Sequence, residues 1–289
     1  MITSIPSLKM NLKRKKFNIL GIPIDAFDKT QSIRFIKQKL NSHQPIFITT
    51  VNVEFLYQAL NDEAVFSMLK KTSLNLADGI GVIWAAKYLS LNLPKDKFTR
   101  PVVAFIKLIV SLLAIIFYPK YLRSEIPERI SGSDFIWDLS KLAAEKDLKI
   151  FLLGGQPTIP EQAALRLQTE IYNLKVAGTF EGSPKIEEEK KISEIISKKG
   201  TDILFVAYGV PAEELWLERN LNKTKAKIAI GVGGTFDFLA GRIKRAPKFF
   251  QYIGLEWLWR LTLEPKRIRR HMALPKFIKR VFSYKLREI

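Results

Sequence analysis

The chain contains no cysteine. That absence excludes disulfides, thiolate metal sites and a cysteine nucleophile. Histidine is nearly missing as well: only His43 and His271 occur, far apart and without ligand-like spacing, so no zinc site is expected. No Asp-x-Asp pair is present, which removes the obvious acidic clamp for a divalent cation on a diphosphate. Neither metal nor cofactor is expected, and any phosphate chemistry must rest on Lys, Arg and backbone N–H groups. A long apolar leader is also wanting. The basic run at 13–16 passes into FNILGIPIDAF, which reads as a strand rather than the core of a signal peptide, so the protein is expected to stay in the cytoplasm.

Acidic residues are few beside basic ones, 28 against 47, giving a formal charge of +19 over 289 residues. The excess gathers late in the chain: residues 242–289 hold 14 Lys/Arg and 3 Asp/Glu. Such a balance calls for an acidic partner or surface. Nucleic acid and an anionic membrane both fit the charge, and Trp257, Trp259, Phe277, Phe282 and Tyr284 suit either base stacking or a lipid interface. No helix-turn-helix, RNA-recognition or zinc motif accompanies the charge, so the membrane is the preferred partner and no nucleic acid is expected. A generally basic soluble surface is the plain alternative.

Apolar, β-branched runs at 17–20, 46–51, 74–77, 149–153, 175–179, 203–207 and 227–232 predict strands. Between them, 30–40, 54–60, 132–145, 159–171 and 186–198 carry helical patterns. This alternation predicts an α/β fold, Rossmann-like, with a mostly parallel sheet flanked by helices. The reading divides the chain into a flexible basic arm (1–16), an α/β core (17–241) and a basic helical appendage (242–289). Ligands in such sheets sit beyond the carboxyl ends of the strands. Thr50 and Asn52, Asp78 and Gly79, Gly154 to Gln156, Tyr208 to Pro211, and Gly231 to Thr235 all fall there.

Residues 228–247 read IAIGVGGTFDFLAGRIKRAP, a strand, a glycine turn, an apolar helix and a basic exit. Glycine lets backbone N–H groups approach a ligand, and a helix start favours negative charge. Gly233, Gly234 and Thr235 therefore fit a phosphate cradle, and equally a tight structural turn. Gly154-Gly155-Gln156 after the strand KIFLL resembles half a dinucleotide fingerprint, so a nucleotide-dependent oxidoreductase is a second reading. The full G-x-G-x-x-G pattern is absent.

GVGGTFDFLAGRIKRAP is similar to the signature of the WecG/TagA/CpsF glycosyltransferases (glycosyltransferase family 26). TTVNVEFL at 49–56, NLADGIGV at 75–82 and YGVPAEELWL at 208–217 fit that family in the same order. The resemblance runs from about residue 17 to about 270. It implies the GT-E type of fold and an inverting, metal-independent transfer from a UDP-sugar to a polyprenyl-diphosphate-linked sugar. An N-acetylhexosamine such as N-acetylmannosamine is the implied donor sugar, and bacterial cell-surface or teichoic-acid-type glycan the product class. It also implies that Asp78 is the catalytic base, that Thr50 and Asn52 contact donor or acceptor, and that Gly154, Gly155 and Gln156 help form the nucleotide pocket. Read from residue type alone, Asp78 fits a helix cap and Thr50 and Asn52 are strand-end hydrogen bonders.

Tyr208, Gly209, Pro211 and Glu214 also belong to the implied substrate site. Glu213 stands where the family pattern G-x-P-x-Q-E-x-W has Gln. Its added charge is expected to disfavour an acidic sugar. Asp237, in the first turn of a predicted helix, is explained by the helix dipole. Arg260, Arg267, Arg269 and Arg270 suit either the diphosphate or lipid headgroups.

The segment VVAFIKLIVSLLAIIFY at 102–118 departs from the common family pattern, within an apolar helical insertion at about 95–125. As a helix it extends about 26 Å, slightly less than a hydrocarbon core of about 30 Å. A monotopic membrane contact is preferred; a single span and a buried or homo-oligomer-forming helix stay open. Because the insertion supplies none of the motifs, its removal is expected to leave nucleotide binding intact.

Overall fold

The structure is a computed structural model that describes residues 14–40, 42, 44–247, 250, 256–263 and 272–287. Six strands form one parallel sheet: β3 (Ile46–Val51), β4 (Leu74–Ala77), β5 (Lys149–Gly154), β6 (Lys175–Phe180), β7 (Ile203–Ala207) and β8 (Ile228–Gly231). Their spatial order is β4-β3-β8-β7-β5-β6. Parallel strands need crossovers, and helices supply them on both faces.

Alternation within each strand builds two cores. Ile46, Ile48, Leu76, Ile150, Leu152, Phe205 and Ile230 pack on one side, against helices α1 (Lys29–Lys39), α7 (Gly132–Glu145), α8 (Ile159–Glu170) and α11 (Thr235–Leu239). Val51, Ala77, Phe151, Leu153, Leu204, Val206 and Ala229 pack on the other. There they meet α2 (Val53–Ala59), α3 (Glu63–Lys71), α4 (Ile80–Ser90), α9 (Ile186–Lys198) and α10 (Ala212–Thr224).

The strand expected at 17–20 lies outside this sheet. Lys16–Ile19 (β1) pairs antiparallel with Ile22–Asp25 (β2), which the sequence reading missed. Asp25 ties this hairpin to the sheet. Its buried carboxylate takes the Arg14 guanidinium at 2.6 Å and accepts the Asn75 N–H at 2.9 Å.

The insertion forms α5 (Thr99–Phe117) and the short α6 (Pro119–Leu122). Ala104, Leu108, Ser111 and Ala114, spaced by three or four residues, form its buried face. Trp84 Nε1 donates to Ser111 Oγ at 3.0 Å and the Tyr88 hydroxyl donates to the Ala104 carbonyl at 3.1 Å, so small residues of α5 seat two large aromatics of α4. The opposite face leaves Val102, Phe105, Ile106, Ile109, Val110, Leu113, Ile116 and Phe117 exposed. By length and composition α5 could cross a membrane, but one side of it is docked on the protein along its length.

Two further helices are α12 (Glu256–Leu263) and α13 (Ala273–Arg287). α13 is joined to the core: Phe277 and Val281 are fully buried, and Lys285 Nζ donates to the Leu89 carbonyl at 2.5 Å. Arg100 of α5 caps it by donating to the carbonyls of Lys285 and Leu286, both at 3.2 Å. The end of the expected appendage is thus part of the same packed body.

Candidate active site

A cavity of about 490 Å³ opens at the carboxyl ends of β3, β4, β7 and β8. That volume and position suit a small-molecule site. Thr50, Asn52, Asp78, Gly79, Gly209, Glu213, Gly233, Gly234 and Thr235 all line it, so residues from four separate motifs converge.

Asp78 sits where β4 ends. Its backbone N–H donates to the Val51 carbonyl at 2.8 Å, holding it beside the end of β3. The N-cap of α4 is Gly79, at φ 117°, a residue with no side chain to offer that helix. Asp78 is the residue just before that cap. Thr50 is nearly buried, and a Cβ added to Gly132 would lie 3.4 Å from its Oγ1. Asn52 is the N-cap of α2: its Oδ1 accepts the Phe55 N–H at 2.9 Å, which fixes the amide at the cavity wall.

Sequence reasoning overlooked Arg129, the one cation among the described lining residues. The strand-like stretch before α7 runs along β4, with the Ile130 N–H donating to the Ala77 carbonyl at 2.8 Å. This brings Arg129, Ser131 and Ser133 to the same rim as Asp78. The signal was RISGSDF, which carries a cation and two hydroxyls directly before a helix.

In the glycine turn one of the backbone donors expected for a phosphate meets a side chain of the protein. α11 has only 5 residues, and the Gly233 N–H already donates to Glu213 Oε1 at 3.0 Å. Glu213 Oε2 accepts the Gly209 N–H at 2.9 Å and the Gly233 N–H at 3.1 Å. An anion does sit in the turn, and it is the protein's own carboxylate. Glu213 thereby pins the β7–α10 loop to the β8–α11 loop. Gly231 is required behind it, since an added Cβ would lie 2.7 Å from Glu214 Oε1 and 2.8 Å from Glu213 Oε1.

Burial pushes the Glu213 carboxyl up to about 7, opposed by the backbone N–H groups. Glu214, equally buried and facing the Glu213 charge, is held well above the ordinary range. A side-chain hydrogen bond joins the two. One proton between two carboxyls satisfies this geometry. Charge repulsion of an acidic sugar by Glu213 is correspondingly reduced. Both groups bind protons more tightly folded than unfolded, so stability falls as pH rises from about 4.5 through about 7. Glu214→Gln keeps a donor to Glu213 without the titration. Its melting temperature is expected to fall less than that of the wild type between pH 5 and pH 8. An unchanged slope in thermal melts would remove the pair as the cause.

Other expected positions lie outside the cavity. Gly154, Gly155 and Gln156 end β5 and do not line it. A Cβ on Gly154 would lie 2.7 Å from the Ala207 carbonyl carbon and oxygen, so close strand approach explains that glycine. Tyr208 turns away, packing edge-on against Trp216 with ring centroids 6.2 Å apart and its hydroxyl toward Gly182. Pro211 and Glu214 also stay off the lining, while Val210 contributes to it. Asp237 pairs with Arg242 at 3.3 Å, and Arg245 with Asp134 at 2.6 Å. The Arg260 side chain, Arg267, Arg269 and Arg270 lie outside the described residues.

The cavity is polar at one end and apolar at the other. Leu112, Ile115 and Ile116 of α5 and Ala273, Leu274 and Ile278 of α13 close the apolar side. The insertion thus walls the apolar side of the site and buries two aromatics of α4.

A strand-end site with a carboxylate, an arginine and paired hydroxyls lies where parallel α/β sheets of enzymes hold their ligands. The sequence model of the glycosyl transferase WecG/TagA/CpsF family matches residues 17–114 and 113–289, and the chain belongs to that family. It is a glycosyltransferase. The chain is 27% identical over 254 residues to an N-acetylglucosaminyldiphosphoundecaprenol N-acetyl-beta-D-mannosaminyltransferase of Bacillus subtilis (strain 168), covering 88% of this chain and 82% of the relative. A protein of the same description from Bacillus spizizenii is 26% identical over 245 residues, covering 85% and 82%. The nucleic-acid-binding and oxidoreductase readings gain no support from these matches.

Proposed function

We propose that the enzyme transfers an N-acetylhexosamine, N-acetylmannosamine by the relatives' description, from a UDP-sugar to N-acetylglucosamine on a polyprenyl diphosphate. The convergence of Asp78 and Arg129 in a cavity with one polar and one apolar end carries this reading. The Asp78 carboxylate takes the proton of the acceptor hydroxyl as its oxygen attacks the anomeric carbon. The bond from that carbon to the UDP oxygen breaks on the opposite face, inverting the centre, and its electron pair leaves on the diphosphate. Arg129 balances the charge that develops there. Thr50 and Asn52 position the sugars. No metal takes part, which a chelator that leaves turnover unchanged would support. Assay of a panel of UDP-sugars against polyprenyl-diphosphate-linked N-acetylglucosamine tests the whole reading, and no transfer from any N-acetylhexosamine donor would end it.

We further propose that the protein works at the cytoplasmic face of the membrane, held there without spanning it. The exposed apolar face of α5 and the exposed Lys276, Lys279, Arg280 and Arg287 of α13 support this. Hydrophobic insertion joined to a basic patch gives stable attachment where either alone is weak. Each basic residue near an anionic surface contributes about 1 kcal/mol. Lys276→Gln with Lys279→Gln is therefore expected to weaken binding to anionic phospholipid vesicles by roughly tenfold or more at low salt. Equal sedimentation of variant and wild type would remove α13 from the contact.

A further inference from the structure

The apolar wall of the cavity does not stop at the cavity. Val102, Phe105, Ile109, Leu112 and Ile116 follow one another at spacings of three and four, so they form a single stripe along α5. Leu112 and Ile116 line the cavity, whereas Val102, Phe105 and Ile109 continue the stripe across the exposed surface. From Val102 to Ile116 the stripe is about 21 Å long. The one charge within the apolar segment, Lys107, is turned aside, its Nζ donating to the Asn92 carbonyl. Facing the stripe's inner end, Leu274 and Ile278 of α13 complete the apolar wall.

The order of polarity along this path is a carboxylate and an arginine inside, then aliphatic side chains, then an exposed aliphatic and aromatic track. A substrate made of a sugar, a diphosphate and a hydrocarbon chain has the same order. We propose that the α5 stripe is the seat of the acceptor's polyprenyl chain, which enters the site past Ile116, Leu274 and Ile278. The inference rests on the acceptor class proposed above. It gives α5 a role in recognising one substrate beside its contact with the bilayer.

Binding in detergent micelles tests it without vesicles and without turnover. The variant Phe105→Ser with Ile109→Ser changes two exposed residues outside the cavity. Its Kd for undecaprenyl diphosphate is expected to rise about tenfold or more, from the loss of apolar area. Its Kd for UDP is expected to stay at the wild-type value, as is that for dimethylallyl diphosphate, whose five-carbon chain cannot span the roughly 10 Å of helix from Ile116 to Ile109. Phe105→Leu with Ile109→Leu should bind undecaprenyl diphosphate like the wild type. Unchanged undecaprenyl diphosphate affinity in the Ser variant, with only vesicle binding weakened, would leave α5 an anchor alone and overturn the inference. Equal losses for both chain lengths, or an equal loss in the Leu variant, would also overturn it. A wild-type chain that binds undecaprenyl diphosphate in this length-dependent way yet transfers no sugar would leave the seat standing and defeat the proposed reaction instead.

Discussion

Asp78→Asn is expected to lower kcat by roughly 10²–10⁴, the usual cost of losing a general base. The amide keeps the size and reach of the carboxylate but cannot hold the proton of the attacking hydroxyl. The fold should tolerate the change. Asp78 is fixed through its backbone N–H to Val51, a bond that the substitution leaves in place, and Asn offers the same acceptor oxygen as one carboxylate oxygen. Affinity for UDP should therefore stay within about twofold, because the carboxylate acts on the acceptor rather than on the nucleotide. Steady-state turnover and UDP calorimetry on the same preparation separate the two effects. Near-normal turnover would take Asp78 out of the base role, and a matching loss of UDP affinity would make it a binding residue.

Most of the sheet was legible in the sequence, because fully buried parallel strands such as IFITTV and ILFVA read as continuous apolar runs. The hairpin was harder. Ile22–Asp25 contains a proline and is short, and what secures it is the long-range contact of Asp25 with Arg14 and Asn75. The site was half legible for a related reason. Thr50, Asn52, Asp78 and Gly79 announce themselves by lying directly after predicted strands. Arg129 does not, since it reaches the cavity through a loop laid beside β4, a pairing absent from local pattern. The glycine turn shows the limit of local composition. Its make-up suits an anion, and the partner that its Gly233 N–H meets is a glutamate 20 residues earlier, a pairing that only the fold brings about. Likewise the apolar run of α5 gave its length and hydropathy. Only the small residues Ala104, Ser111 and Ala114, read as a stripe, would have shown which face is docked.

Replacing that arginine carries the second large effect. Arg129→Ala is expected to reduce kcat/KM by roughly 10²–10³, the range found when one preorganised donor to developing negative charge is removed. Among the described residues the cavity holds Glu54, Asp78 and Glu213 as acidic side chains and Arg129 as the single basic one. A diphosphate entering that space without it meets carboxylates and, from the described residues, no counter-charge. Arg129→Lys should recover part of the loss, since charge returns but the planar fork that grips paired oxygens does not. The split between the constants locates the partner. A fall confined to kcat places the guanidinium on the leaving UDP, whereas a rise in KM for the lipid-linked acceptor with kcat retained places it on the acceptor's diphosphate. Asp134 provides the control, because it lies 4.0 Å from Arg129 and also holds Arg245. If Asp134→Asn costs as much as Arg129→Ala, the arginine serves the packing of α7, and the charge that faces the diphosphate must be sought elsewhere.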